Sequence, residues 1–169
     1  MPDNAAIELS WRQVLADVGY LRGEVARLGP RAGYIATAQR FDLGNMRDVA
    51  AFERVYERLA NEVDHLVRDC LKAGVQTVDG IRAVDDASMG TLLGGFATSR
   101  KLPAASRAAL QRAAHARNDL QHDYLNLRAA EVFDGVAELL DGIEPVLRAL
   151  QAAWAEHGLD LKLPRSSGR

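Results

Sequence analysis

Cysteine is almost missing from the chain: Cys70 stands alone among 169 residues. A lone cysteine has no partner for an internal disulfide and excludes a cysteine-based zinc site. Cys70 falls on the apolar spacing of a predicted helix, so it reads as a buried, inert thiol. Long apolar runs are missing too; none approaches the roughly 20 residues of a membrane span. The first four residues are acidic, with no apolar stretch behind a basic start, so no secretory signal is expected and the cytoplasm is the expected compartment. There is no Gly-rich loop of the P-loop or dinucleotide type. There is no nucleophile elbow for Ser-His-Asp catalysis and no pair of Glu-x-x-His motifs of the kind that builds a di-iron bundle. Strand-like alternation and internal repeats of 20–50 residues are absent as well. Nor is there an excess of either charge: 21 Lys and Arg against 23 Asp and Glu leave −2, so the chain is not a general polyanion binder. Any nucleic-acid contact has to come from a local patch.

What remains is helical periodicity. Hydrophobic residues make up 48% of the chain, enough for one contiguous core in one domain. Ile7, Trp11, Val14, Val18, Leu21, Val25 and Leu28 recur in steps of three and four and predict a helix over 5–28, ended by Gly29-Pro30. Residues 31–45 read as a connector with at most a short helical turn. The strongest stripe runs from Val49 to Leu71, with Asn45 as the expected cap and Gly74 as the stop. After a loop over 75–85, Asp85 or Asp86 is expected to cap a shorter helix through Phe96. Its Gly90, Gly94 and Gly95 weaken it but suit close approach to a neighbouring helix. Pro103 opens a helix to about Gln121, and Leu125-Asn126-Leu127 reads as a turn. The last helix starts near Arg128 and is expected to kink or break at Pro145. The expected architecture is all-α: an up-and-down bundle of four to five main helices over 1–157, with 158–169 as a loose tail.

Charge is unevenly spread along this bundle. From Arg100 to Arg128 six Lys or Arg stand against two Asp, a local +4 that leaves −6 for the rest. At about 100° per residue Arg107, Gln111, His115, Asn118 and His122 share one helical stripe, while Arg117 and Tyr124 lie with the core-facing side. A guanidinium on that side must find an acceptor or reach a shared cleft. Arg117 and His122 stand about 140° apart on one straight helix, so they meet only if the helix ends between them or a second chain supplies its own pair. Such a set suits metal-free phosphodiester chemistry on RNA. An imidazole takes the 2′-hydroxyl proton or protonates the leaving 5′-oxygen, and a fixed guanidinium steadies the pentavalent phosphate. DNA lacks that nucleophile and is not an expected substrate. His115, Asp119, His122 and Asp123 carry metal-binding atoms, but no second cluster completes a site. The same residues also have an ordinary reading, with Arg117 paired to a carboxylate, His122 on the surface and Tyr124 anchored in the core.

Arg117-Asn118, three further residues, His122 and then Tyr124 form a pattern that resembles the Arg-Asn-x-x-x-His-x-Tyr signature of HEPN domains, specifically the HepT toxin branch. The helix from Phe52 to Leu71, the section from Met89 to Arg117, the turn after Tyr124 and the Pro-interrupted last helix are similar to that family's layout over roughly 45–155. The resemblance implies a metal-independent endoribonuclease toxin that needs no cofactor and acts as a homodimer. Arg117 and His122 of both copies would be catalytic in one composite cleft, and Asn118 would support the arginine. Arg107, Arg112 and His115 are candidate RNA contacts on the same basic segment. The resemblance also implies a MntA-like nucleotidyltransferase antitoxin that attaches AMP to Tyr124, a modification that blocks the cleft and repels phosphate. Asp119 and Asp123 depart from an all-basic motif and dilute its positive field. The family also includes non-catalytic bundles that bind a nucleotide or a partner protein, which is the alternative reading.

Overall fold

The computed structural model describes residues 3–28, 30–40, 42–74, 84–122 and 129–164. Within them lie six helices and no strand: α1 (Asn4–Leu28), α2 (Arg31–Gln39), α3 (Leu43–Lys72), α4 (Met89–Ser99), α5 (Ala104–His122) and α6 (Ala129–Glu156). None is long and apolar enough to cross a membrane. The protein is an all-α bundle, and α3 is its axis, touching each of the other five helices.

The reason is the composition of α3. Val49, Phe52, Tyr56, Leu59, Val63, Leu66, Val67 and Cys70 fall along one stripe, and all are buried. Each large side chain withdrawn from water contributes about 1.5–3 kcal/mol, enough to fix which way a thirty-residue helix faces. Its start differs from the expected Asn45. Asp42 caps it, accepting from the Gly44 amide at 3.1 Å, and the Asn45 side chain donates to the same carboxylate. Its end is where Gly74 was expected to stop it, with a left-handed φ of 72° that glycine adopts freely. The α4 cap also differs: Ser88, rather than Asp85 or Asp86, accepts from the Thr91 amide at 3.2 Å.

Residues 31–39, expected to be mostly connector, form the nine-residue helix α2. Tyr34 drives this. It is fully buried, with its ring 5.1 Å from Phe52 and 5.5 Å from Phe133. That packing supplies what a short segment containing Gly33 lacks in local propensity. At Pro145, where a kink or a break was expected, α6 does not break. Ile143, Val146, Leu147 and Leu150 are buried on either side, and together they outweigh the roughly 3 kcal/mol that an internal proline costs. A second difference concerns the expected loose tail. Leu159 and Leu161 are buried, the Trp11 indole donates to the Lys162 carbonyl at 3.0 Å, and Gln151 donates to the Leu161 carbonyl. The tail is thus strapped across α1 and α6 as far as residue 163. Residues 165–169 lie outside the described ones.

Close helix approach occurs at Gly142 of α6 and not at Gly94 of α4. A Cβ on Gly142 would stand 3.1 Å from both the Ser106 Cα and the Ala109 Cβ, whereas Gly94 has nothing within 4 Å. The Ser106 hydroxyl donates to the Gly142 carbonyl at 2.8 Å in the same buried contact. This contact sets α5 against α6 and so sets the height of every polar side chain on α5. Gly142→Ala should therefore lower stability by about 1–3 kcal/mol, because the obstructing atoms are backbone and an alanine Cβ, none of which can swing aside. Gly23→Ala, in open space within α1, should raise it by about 0.4–1 kcal/mol. Urea denaturation of the two variants checks both signs; a Gly142→Ala variant as stable as the parent would refute the close contact.

Candidate nucleic-acid site

The site starts from α5, which lies between α3, α4 and α6. Its Ala109, Leu110, Ala113, Ala114 and Ala116 are buried, so its polar residues are left along the edges. Arg117 sits half-buried at the edge facing α3. Its Nε donates to the Asn61 Oδ1 at 3.1 Å and its Nη1 to the Asn118 Oδ1 at 3.1 Å. One turn on, Gln121 donates to Glu57 at 2.7 Å. These two bridges fix an antiparallel register between the end of α5 and the middle of α3.

The acceptors of Arg117 decide its chemistry. Both are amide oxygens, which hold a guanidinium in place without cancelling its charge. Eight other arginines of the described residues are tied to carboxylates instead. Asn118, expected to support the arginine, has its side-chain oxygen engaged by Arg117. His122 is the last residue of α5. Its side chain, and with it Asp123 and Tyr124, lies outside the described residues, as does the expected turn at 125–127.

On the other edge of α5, Gln111, His115 and Asn118 line a shallow cleft of about 370 Å³ against Ser88, Gly90 and Thr91 of the α4 start. His115 and Gln111 also border a larger cleft of about 690 Å³ with Arg112, Glu138 and Asp141. His115 and Asn118 are thus brought together. Arg112 is held by Glu138 at 2.6 Å, with Asp141 in the same cleft, so its charge is largely cancelled there. Arg107 is exposed and has no ion-pair partner among the described residues. Near the Arg112 side chain, beside Gly135, the buried Tyr56 hydroxyl has no hydrogen-bond partner among the described residues. Burial pushes its ionisation well above the ordinary phenol range, with Arg112 drawing it back in part.

A third, smaller recess flanks the end of α5, lined by Ala50, Glu53, Arg54, Glu57 and Leu120. Burial raises the Glu53 carboxyl above the usual carboxylate range, and the hydrogen bond from the Tyr34 hydroxyl at 3.1 Å opposes this in part. Neither Asn61, which grips Arg117, nor Glu53 stands out in the linear sequence as a site residue. Their roles follow from the α3–α5 and α2–α3 registers, which no local spacing encodes. Compared with protein-family models, curated proteins and solved structures, the chain matches none.

The folded protein holds the Glu53 proton more tightly than the unfolded chain does. The stability linked to it is therefore complete below the unfolded carboxylate pKa and is lost as pH rises through the folded value. Glu53→Gln keeps an acceptor for Tyr34 and removes the charge. It should raise Tm at pH 7, with the difference from the parent fading as pH falls below about 4. A Glu53→Gln variant with a lower Tm at pH 7 would contradict the assignment.

Proposed function

We propose that the protein is a HEPN-type endoribonuclease of the HepT kind, a toxin that cuts RNA without a metal in a composite cleft between two copies of the chain. The observation that carries this reading is the state of Arg117: half-buried, fixed from two sides, and met by neutral amide oxygens rather than by a carboxylate. A guanidinium held this way is already ordered and remains charged, as a donor aimed at a developing phosphorane charge has to be. It stands five residues before His122, which the reading takes as the proton-transfer group.

In this mechanism one imidazole takes the proton of the RNA 2′-hydroxyl as its oxygen bonds to phosphorus. The bond from phosphorus to the 5′-oxygen breaks, and a second imidazole gives that oxygen a proton. The products are a 2′,3′-cyclic phosphate and a 5′-hydroxyl end, with no net change in protons. Arg117 steadies the extra negative charge on the equatorial oxygens, and Asn118 keeps Arg117 in place. One imidazole cannot readily do both transfers in a single step, so a twofold pair of His122 residues is the economical arrangement. Tyr124, two residues beyond His122, is the proposed point at which a nucleotidyltransferase antitoxin attaches AMP.

Purified protein should cut single-stranded RNA in the presence of EDTA and leave the DNA analogue intact. His122→Ala should slow cutting by about 10²–10⁴-fold and Arg117→Ala by about 10²–10³-fold. Arg117→Lys should recover little, because an ammonium cannot span both amide oxygens. Gel analysis of labelled RNA gives all four rates; undiminished cutting by His122→Ala would remove the mechanism. RNA bound through Arg117 but never cut would identify a non-catalytic binding bundle instead. Intact mass after co-expression with a cognate nucleotidyltransferase should show AMP on Tyr124, and neutralised protein with an unmodified Tyr124 would remove that part.

A further inference from the structure

The face of α3 turned away from the core carries a polar row with two arginines that the proposed reaction does not use. Arg47, Arg54 and Asn61 are spaced seven apart, and His65 follows one turn later. At 100° per residue these four fall within about 40° of one another, on the side opposite the buried stripe. Arg47, Arg54 and His65 are exposed, and Asn61 is the residue that holds Arg117. The row therefore reads Arg47, Arg54, Arg117, His65, with about 10 Å of helix between Arg47 and Arg54 and again between Arg54 and Asn61.

The acids of α3 leave this row open. None of its six carboxylates falls within the row, although Glu57 and Asp69 each stand about 40° from one end of it and Glu53 and Glu57 share a recess with Arg54. Four of them are engaged elsewhere: Asp48 by Arg27, Glu53 by Tyr34, Glu57 by Gln121 and Asp64 by Arg68. Arg58, just beside the row, is committed to the buried Asp17. Arg47 and Arg54 have no ion-pair partner among the described residues. In a protein of net charge −2 whose described arginines are mostly ion-paired, two exposed guanidiniums without such a partner, in line with Arg117, form a local positive strip.

We infer that a single strand of RNA lies along this ridge of α3, its phosphates meeting Arg54 and Arg47 in turn as it leaves Arg117. The inference rests on the ribonuclease reading for its choice of RNA. The ridge also accounts for how an acidic protein can hold a polyanion, because its contacts are few, spaced and not ion-paired within the protein. The contacts are to phosphate, so the ridge adds affinity and direction without sequence preference.

The test measures binding of a labelled 20-nucleotide single-stranded RNA to the full chain carrying His122→Ala, by fluorescence anisotropy across a range of salt. Arg47→Gln with Arg54→Gln should weaken binding at least 10-fold at 0.1 M salt. It should reduce the slope of log affinity against log salt by about 1.4, near 0.7 for each phosphate no longer neutralised. The control, Arg12→Gln with Arg148→Gln, changes net charge equally on exposed residues elsewhere and should leave the slope unchanged. An unchanged slope in the ridge variant, or an equal fall in the control, overturns the ridge, and so does tighter binding of a polyglutamate peptide than of the RNA. If the parent cuts RNA while the ridge variant keeps its slope, the ridge fails and the ribonuclease reading stands. If the ridge variant loses affinity and slope as expected but the parent never cuts, the ridge stands and the ribonuclease reading fails.

Discussion

Everything in this bundle follows from the burial of one side of α3. A thirty-residue helix with a continuous apolar stripe must be covered along its whole length, and no single partner is long enough to do it. Five helices share the task. α1 and α5 lie along it, α2 closes one end through Tyr34 against Phe52, and α4 packs near the other end. The two buried carboxylates are each met by an arginine, because an unpaired buried charge is expensive. Asp17 is met by Arg58 and Gln13. Asp64 is met by Arg68, which also donates to the carbonyls of Val84 and Ala87 and so anchors the chain entering α4.

The same constraint produces the candidate site. Covering α3 with α5 brings Arg117 to the margin between the two helices, where its guanidinium is half-desolvated and needs acceptors. Asn61 and Asn118 supply them without a countercharge. The contrast with Arg112 is instructive. It stands on the same helix in a larger cleft, yet Glu138 binds it at 2.6 Å and Asp141 adds a second carboxylate. Cleft volume alone would favour Arg112 as the anion-binding residue; the electrostatics favour Arg117. The wet side of α3 continues this pattern, since its carboxylates are drawn to the flanks and its outermost row is left basic.

Features encoded by nearby residues were legible in the sequence. The stripe of α3 and its stop at Gly74 depend on spacing and on one permissive backbone, and both read directly. The placing of Arg117 on a different edge of α5 from Gln111 and His115 followed from 100° per residue, although Asn118, next in the chain, reaches Arg117. Features that depend on distant residues were not legible. α2 is held by Tyr34 on Phe52 and Phe133, residues far along the chain. Pro145 stays inside α6 because the burial around it outweighs its local cost. Asp42 and Ser88 cap their helices in place of equally capable neighbours, since the choice among nearby polar residues depends on where each buried face begins. Asn61 carried no sign in the linear sequence of its bond to Arg117, because that bond depends on the packing register of two helices.

In the proposed reaction a fixed, uncancelled guanidinium at Arg117 serves attack by the RNA 2′-hydroxyl in a cleft shared by two copies of the chain. Mass spectrometry of the ends left on a defined RNA after incubation with the purified protein tests this most directly. The account predicts 2′,3′-cyclic phosphate and 5′-hydroxyl ends, and no cut at a position where the 2′-hydroxyl has been replaced by hydrogen. Ends bearing a 3′-hydroxyl and a 5′-phosphate, or cutting that continues at the deoxy position, would contradict it.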